Sequence, residues 1–533
     1  MKTLLIGIDG ATMDVIKPMV SSGQLPHIAR LMNNGVYGNL RSVFPPVTFP
    51  AWTSFKTGKN PGKHGVFDFI KDVPYIKDAP SEIAIGDPSN LSFWKILSNH
   101  GYRVGIVNVP TTYPPEKING VFVSGFGTPS IKHAFVYPPE LKKTLLQDFD
   151  YEFDIIETRV DGKEDEFLET LTRSTKKITD VVEHLLQQNQ FDLFMVNYMA
   201  ADQTQHFFFG YKDPHHPLYH KEKAHYGDKI EEIYQLIDEQ IGRILSVIDE
   251  PVDVMIVSDH GFGPALRLVC LNEWLEKEGY LTMNKFEQEK SSLLHIPKRI
   301  VEKITDVIPS SLSKYIPQSI RNKATDYISW THLIDWQHTK AYSGGYPGKI
   351  YVNLKGRERE GIVDPGKDHQ DLIDDIEQRI RHLTDPDTGE KVVDRVYRRH
   401  ELYSGSYEQF GPDLNVIMKD LAYLNRTGFQ NGQIFYPPHQ GGDHRLQGTF
   451  IASGPHIKDN GDELSQLSIV DIAPTILHLY HQPVDADMDG RVLTELFREE
   501  SALSQKKVVR EKIDYEKEMI KGQIHHLTHQ QKL

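Results

Sequence analysis

The feature that most constrains this chain is a regular alternation of short, β-rich apolar runs with longer segments of helical periodicity. The runs fall at Thr3–Ile8, Tyr102–Val109, Val121–Val123, Asp192–Tyr198, Val252–Val257, Leu414–Met418 and Thr449–Ala452. Between them, Glu166–Gln188 and Lys229–Ile248 repeat apolar residues at helical spacing. Strands that are apolar on both faces must be covered on both faces. Helices lie between them, so the chain is expected to be an α/β protein with a central, mostly parallel sheet sandwiched by helices. No repeat occurs at solenoid or propeller periods.

Composition narrows the function classes. A chain of 533 residues, 39% hydrophobic and 25% charged, has the balance of a folded protein with a sizeable core. Lys and Arg number 60 against 74 Asp and Glu, and the net charge of −14 argues against gripping a nucleic-acid polymer or an anionic membrane. The lone cysteine, Cys270, excludes a disulfide framework or a thiolate metal cluster within one chain. The apolar start Thr3–Ile8 is cut short by Asp9, too early for a signal segment, and no run reaches the ~18 apolar residues of a membrane span. These points lead us to expect a cytoplasmic location.

Two segments break the pattern. Residues 286–330 turn basic and amphipathic, with Lys298, Arg299, Lys303, Lys314, Arg321 and Lys323 among short apolar stretches. They read as a helical insertion, either packed on the core or acting as a cap that draws in an anionic substrate. Residues 501–533 are polar, with Ile513, Ile520, Ile524 and Leu527 near heptad spacing, and read as a peripheral helical tail that could carry a homo-oligomer contact. The expected organisation is one α/β domain over 1–285 and 331–500, the insertion, and the tail.

Polar residues cluster just past the carboxyl ends of the expected strands, where α/β sheets build sites. Asp9 follows the first strand in Gly7-Ile8-Asp9-Gly10, and Asp259-His260 follows Val252–Val257 in the same manner. Beyond Asp192–Tyr198, Asp202 and His206 stand one helical turn apart and share a face, so both can reach one ion. His444 lies beside the Thr449–Ala452 strand. Singly, each has a plain structural reading as a cap, turn residue or i,i+4 pair. Together they form an oxygen- and imidazole-rich set suited to zinc, manganese or iron(II), and two such ions form a clamp for in-line displacement at phosphorus. Thr48, in Pro45-Pro46-Val47-Thr48-Phe49-Pro50, is the candidate nucleophile at a helix start, with an N-cap as its alternative role.

With these motifs assembled, the chain resembles the alkaline phosphatase superfamily, most closely its type I phosphodiesterase / nucleotide pyrophosphatase branch. The matching pieces are Gly7-Ile8-Asp9-Gly10, Thr48-Phe49-Pro50, Thr57-Gly58, His64-Gly65, Asp202 with His206, Ser258-Asp259-His260-Gly261 and Asp443-His444-Arg445. Asp471-Ile472-Ala473-Pro474-Thr475 and Met488-Asp489-Gly490 fit as a helix start and a turn. The resemblance covers roughly residues 1–280 and 335–497. It implies a hydrolase of phosphodiester or phosphoanhydride bonds, holding two divalent ions (zinc first, manganese or iron as alternatives). Asp9, Thr48, Asp259 and His260 would hold one ion; Asp202, His206 and His444 would hold the other. Thr48 would form a covalent phosphothreonine, and water would release the product with retention at phosphorus. A phosphomonoesterase, a phosphomutase or an inactive binding protein on the same scaffold are the rival readings. The branch carries an asparagine about twenty residues past its nucleophile, whereas this chain reads His64-Gly65-Val66-Phe67-Asp68-Phe69 there. Lys63 and His64 stand as candidate substrate-binding residues in that stretch.

Overall fold

The computed structural model describes residues 1–68, 90–153, 162–284 and 330–530, with 523–530 described by backbone alone. The expected 286–330 insertion lies, up to Trp330, outside the described residues.

Nine strands among the described residues form the central sheet, in the order 462–468, 35–41, 447–453, 253–257, 3–8, 193–198, 104–109, 120–124 and 136–137. Thr3–Ile8 sits in the middle and pairs in parallel with Leu193–Tyr198 on one side and Asp253–Val257 on the other. Val104–Val109 and Gly120–Ser124 continue the parallel run. Gln447–Ser453 is antiparallel to both its neighbours, so the sheet is mixed towards that edge.

Alternation along the strands assigns the two faces. Leu4, Ile6, Ile8, Phe194, Val196, Val254 and Ile256 point to one core, with helices Met13–Ser21, Pro26–Asn33, Glu164–Gln188 and Lys229–Ser246 over them. Leu5, Leu193, Met195, Met255 and Val257 point to the other, under Thr48–Thr57, Phe93–Asn99 and Ile472–Leu479. Burying both faces explains why these strands read as unbroken apolar runs. No helix among the described residues is long and apolar enough to cross a membrane.

A second layer departs from the sequence expectation. Leu414–Met418, expected in the parallel sheet, instead belongs to a four-stranded antiparallel sheet with Ala341–Ser343, Lys349–Val352 and Val393–Arg398. Its apolar run is buried against a separate core around Tyr342, Tyr351 and the helix Lys367–Ile380, and so looks the same in sequence as a central strand. The strands Gly35–Arg41 and Asp462–Ser468 lacked the apolar density that marked the others, as their exposed positions explain.

The carboxyl-terminal part locks the Thr48–Thr57 helix from below. This helix ends at Gly58 in the left-handed region (φ 67°), and the amide of Asp489 donates to the Gly58 carbonyl at 2.8 Å. The Asp489 carboxylate accepts from the Asn60 amide at 2.7 Å. The 501–533 tail is tied to the body as well. Arg510–Glu511 pairs with Val484–Asp485, and Leu503 is buried in the second core. The heptad expectation for the tail does not hold where it can be read. Ile513 precedes the helix Tyr515–Gln530 and packs on the core, while Ile520 is exposed.

Gly7 shows how little slack the sheet centre has. A Cβ there would lie 2.2 Å from Asn197 Oδ1 and 2.7 Å from the Trp52 ring. Gly7→Ala is expected to cost ~1–3 kcal/mol of stability, the usual range for overpacking a rigid core. Denaturant unfolding of the two proteins would measure it, and an unchanged midpoint would contradict the packing described.

Candidate active site

The parallel register brings the central strands to a common level at their carboxyl ends. Ile8 is opposite Tyr198 and Gly7 opposite Val257, so the next residues of all three strands leave the sheet side by side. Asp9 emerges from the first. The helix Ala200–Lys212 starts just past the second and carries Asp202 and His206 on one face. Ser258-Asp259-His260 follows the third. His444 arrives by another route, on a two-stranded ribbon in which Gly442–Arg445 runs antiparallel to Gly261–Pro264, with His444 opposite Phe262. That ribbon stacks the His260 and His444 rings with centroids 3.9 Å apart.

The polar atoms converge tightly. His260 Nε2 lies 3.1 Å from Asp259 Oδ2, 3.5 Å from Asp9 Oδ1 and 3.5 Å from Thr48 Oγ1. Asp202 Oδ1 lies 3.5 Å from His206 Nε2 and 3.4 Å from His444 Nε2, and the two imidazole nitrogens are 3.1 Å apart. Asp9, Asp259 and His260 therefore form one set with an ion-sized centre, and Asp202, His206 and His444 a second beside it. His260 Nε2 is 4.0 Å from Asp202 Oδ1, which joins the two. Asp443 also stands within ligand range of His206 and His444.

Supporting contacts aim these groups. The Trp52 indole donates to Asp9 Oδ2 at 2.7 Å, and the Gly10 amide donates to Asp259 Oδ1 at 3.2 Å. His260 Nδ1 faces the Gly261 carbonyl at 3.1 Å, and His206 Nδ1 the Gly442 carbonyl at 3.2 Å, leaving each Nε2 turned inward. Such partners orient a ligating imidazole and set its tautomer.

Electrostatics separates the groups. Burial pushes the Asp259 carboxyl well above its usual range, and the neighbouring Asp202 charge adds to this. Burial also opposes charge on Asp202, but His206 and His444 outweigh it and hold that carboxyl well below the usual range. Burial holds His260 well below its ordinary value, with His444 reinforcing it. For His206 the desolvation is overcome by Asp202, and the ring is drawn up to about 9. The donor set fits divalent ions on a direct observation. Asp202 Oδ1 and Asp259 Oδ2 are buried and accept no hydrogen bond from the protein, a costly arrangement unless a cation meets them.

Thr48 opens the Thr48–Thr57 helix as its first residue, with Val47 as the N-cap, so the N-cap alternative does not apply. Its hydroxyl lies on the floor of a cleft of about 400 Å³ that also exposes Asp68, Asp202, His206, Tyr346 and His444. Lys63 and His64 do not line this cleft. The Lys63 ammonium is bound to Asp489 at 2.6 Å and to the Asp487 carbonyl at 2.7 Å. His64 is fully buried, with Ser54 Oγ at 2.9 Å and the Val66 amide donating to its Nδ1 at 3.1 Å, and burial holds its pKa down near 3. Both are therefore occupied in holding the turn that follows the Thr48 helix.

Four contributors were not singled out in the sequence. Asp443 adjoins His444, and its proximity was readable. Trp52 sits one turn after Thr48, but its bond to Asp9 crosses the fold. Tyr346 and Lys349 come from the glycine-rich loop Gly344-Gly345-Tyr346-Pro347-Gly348-Lys349 of the second sheet, and only the loop's composition hinted at a close approach.

A family profile, type I phosphodiesterase / nucleotide pyrophosphatase, matches residues 3–431. The chain belongs to this family. It is accordingly a phosphoric ester hydrolase, as the motifs implied. No curated protein sequence gives a significant match. Among solved structures, phosphonoacetate hydrolase from Sinorhizobium meliloti, in complex with phosphonoformate, is 13% identical with a TM-score of 0.52, over 89% of this chain and 94% of that one. Human ectonucleotide pyrophosphatase / phosphodiesterase 5 is 15% identical with a TM-score of 0.47, over 90% and 95%. At such identities the hydrolase likeness speaks for the shared fold only.

The indole–carboxylate bond yields a test. Trp52→Phe keeps most of the packing but removes the donor to Asp9, and is expected to weaken binding of a divalent ion by roughly 10–100-fold, the usual effect of losing a supporting hydrogen bond. Titration against a competing chelator measures it. Unaltered affinity would mean that Asp9 needs no such orientation.

Proposed function

We propose that this family member hydrolyses phosphodiester or phosphoanhydride bonds through Thr48, with a covalent phosphothreonine intermediate and two divalent ions, zinc in the first instance. The observation that carries the reading is the position of Thr48 Oγ1 in the first turn of a helix, 3.5 Å from His260 Nε2 and open to the same cleft as Asp202, His206 and His444.

Asp9, Asp259, His260 and Thr48 would hold one ion, and Asp202, His206 and His444 the other. When bound, these ions would supply charge neutralisation for phosphoryl oxygens and lower the pKa of the threonine hydroxyl and of attacking water. The chain's own residues do the rest. Val47 and the prolines before it fix the backbone that presents the Thr48 hydroxyl at the start of a helix, whose dipole favours an anionic phosphoryl group there. Thr48 Oγ forms a bond to phosphorus as the bond to the leaving alcohol or phosphate breaks, and the hydroxyl proton ends on the departing oxygen. Water then attacks phosphorus from the opposite side, the Oγ–phosphorus bond breaks, and Thr48 recovers its proton. Two in-line displacements give net retention.

Thr48→Ala is expected to keep fold and metal content while lowering turnover by several orders of magnitude, as loss of a covalent nucleophile does. Mass spectrometry of quenched wild-type enzyme should find phosphate on the Thr48 peptide. Near-normal turnover in the Ala variant would replace the covalent route with direct attack by water.

Metal removal gives a second test. Chelation should abolish hydrolysis of both mono- and diester chromogenic substrates, and added zinc or manganese should restore it. Full activity in demonstrably metal-free protein would overturn the two-ion reading, and preference for a monoester would favour the phosphatase or mutase alternative.

A further inference from the structure

The cleft in front of Thr48 holds an amide that the chemistry proposed above does not use. Gln203 follows Asp202 near the start of the Ala200–Lys212 helix and, with Phe207 one turn on, lines the cleft beside His206. It is only 5% exposed. Its Nε2 donates to Asp202 Oδ2 at 3.2 Å, while its Oε1 is buried and accepts no hydrogen bond. The orientation is not arbitrary. Turning the amide over would set its carbonyl against the Asp202 carboxylate, so the donor end belongs there and the acceptor end is left at the far side. A buried carbonyl without a donor is destabilising, and the same helix shows an amide that avoids this. Gln205 donates to the Gly10 carbonyl at 2.9 Å and the Ala201 carbonyl at 3.0 Å, and accepts from the Tyr234 hydroxyl at 3.2 Å. Gln440, also on the cleft lining, is committed to Asp443 Oδ2 at 2.6 Å. Among the described amides of that lining, Gln203 is the one whose carbonyl is buried and unmet.

Position says which donor this carbonyl meets. With two in-line displacements, the second attack on phosphorus comes from the side opposite Thr48 Oγ. Thr48 Oγ1 lies 3.5 Å from His260 Nε2, and the Asp202, His206 and His444 set lies beyond, with Asp202 Oδ1 4.0 Å from that same nitrogen. Gln203 is fastened to this far set through Asp202 Oδ2. No lysine or arginine lines the cleft among the described residues, so its wall offers the carbonyl no cationic donor. A water entering on the far side does bring a donor. One hydrogen bond to a fixed carbonyl decides which lone pair of that water faces phosphorus, and holding a nucleophile so is a large part of catalysis in phosphoryl transfer.

We propose that Gln203 is a catalytic residue of the second displacement, whose Oε1 accepts a hydrogen bond from the water that attacks the phosphothreonine. The water oxygen bonds to phosphorus as the bond to Thr48 Oγ breaks. One water proton passes to Oγ, and the other, held by Gln203, stays on the released phosphoryl product. The amide remains neutral throughout. This rests on the phosphothreonine reading above and adds the group that orients its water.

The test compares Gln203→Met, which keeps the length and removes both hydrogen bonds, with Gln203→Glu, which loses the donor to Asp202 but keeps an acceptor oxygen. Zinc affinity, read by chelator competition, should weaken in Gln203→Met through the lost donor, and rates are compared with each protein saturated. With bis-p-nitrophenyl phosphate, kcat of Gln203→Met should fall roughly 10–100-fold and KM with it. The ratio kcat/KM reads only the steps up to loss of the first nitrophenol, and should stay within about threefold of wild type. After a single loading, the phosphate on Thr48 should leave roughly tenfold or more slowly than in wild type, as followed by mass spectrometry of quenched samples. Gln203→Glu should recover most of that release rate. If Gln203→Met does not fold, Gln203→Ala takes its place with the same expected split. Equal falls in kcat and kcat/KM, or a Gln203→Glu that releases phosphate no faster than Gln203→Met, would make Gln203 a mere support for Asp202 and overturn the proposal. A variant that loses its phosphate at the wild-type rate would also overturn it, with the covalent reading intact. A wild type that never carries phosphate on Thr48 is a separate result, which would refute the covalent reading and this proposal with it.

Discussion

Asp9, Asp202 and Asp259 are 0%, 3% and 0% exposed, and their carboxylates converge on the same few imidazoles at the edge of the sheet. Withdrawing even one such charge from water costs several kcal/mol after the protein has relaxed, and like charges at this range add to the cost. A chain tolerates this only where the backbone leaves no alternative and a compensating charge can enter. The register of the three central strands removes the alternative. Because those strands end level, their next residues must share one small volume, and the helices and ribbon that follow bring His206, His260 and His444 into it. Much of the remaining structure follows from stabilising this arrangement. The indole of Trp52 takes one oxygen of Asp9 and the Gly10 amide one oxygen of Asp259, which aims both carboxylates at the cluster.

What was legible in the sequence follows from the same geometry. Strands buried on both faces must be apolar throughout, so Thr3–Ile8, Leu193–Tyr198 and Asp253–Val257 stood out, and the polar residues at their ends marked a site edge. Asp202 and His206 were readable as a pair because one helical turn separates them. The family motifs then joined these fragments. What stayed hidden are interactions set by tertiary packing. Nothing local distinguishes Leu414–Met418, in the second sheet, from a strand of the first, because both are buried. Lys63 and His64 were attractive as polar residues a short way past Thr48. In the fold they serve the turn, and Asp68, only a few positions on, reaches the cleft instead.

The second sheet is more than a lateral addition. Through Tyr346 it touches the backbone of His444, and through Lys349 it holds the carboxylate of Asp68, so one loop and one strand start reach both sides of the cleft. The central sheet supplies the clustered carboxylates and imidazoles, and the second sheet supplies Tyr346 to the wall of the same cleft. Such a division lets a shared catalytic edge serve different substrates, because a change in the outer layer leaves the register of Thr3–Ile8 and its neighbours untouched.

The same division bears on rigidity. Under the proposed mechanism, Thr48 would have to hold its hydroxyl within a few tenths of an ångström of a productive position while it carries the phosphoryl group. Its helix is fixed at both ends by different parts of the chain. At the start, its hydroxyl lies against His260; at the end, Gly58 turns into the left-handed region and bonds the Asp489 amide, and the Asp489 carboxylate holds Asn60. Residues more than 400 positions apart in sequence thereby set one side chain. Asp471 adds a further tie, accepting from the Arg491 amide at 2.8 Å and the Ser468 amide at 2.9 Å, so that the turn carrying Asp489 is fastened to the Ile472–Leu479 helix beneath the sheet. Among the described residues the carboxyl-terminal motifs contribute no group to the cleft, yet the position of Thr48 depends on them. This gives a physical reason why a strand-end cluster near the start of the chain and an acidic turn near its end belong to one recognisable pattern.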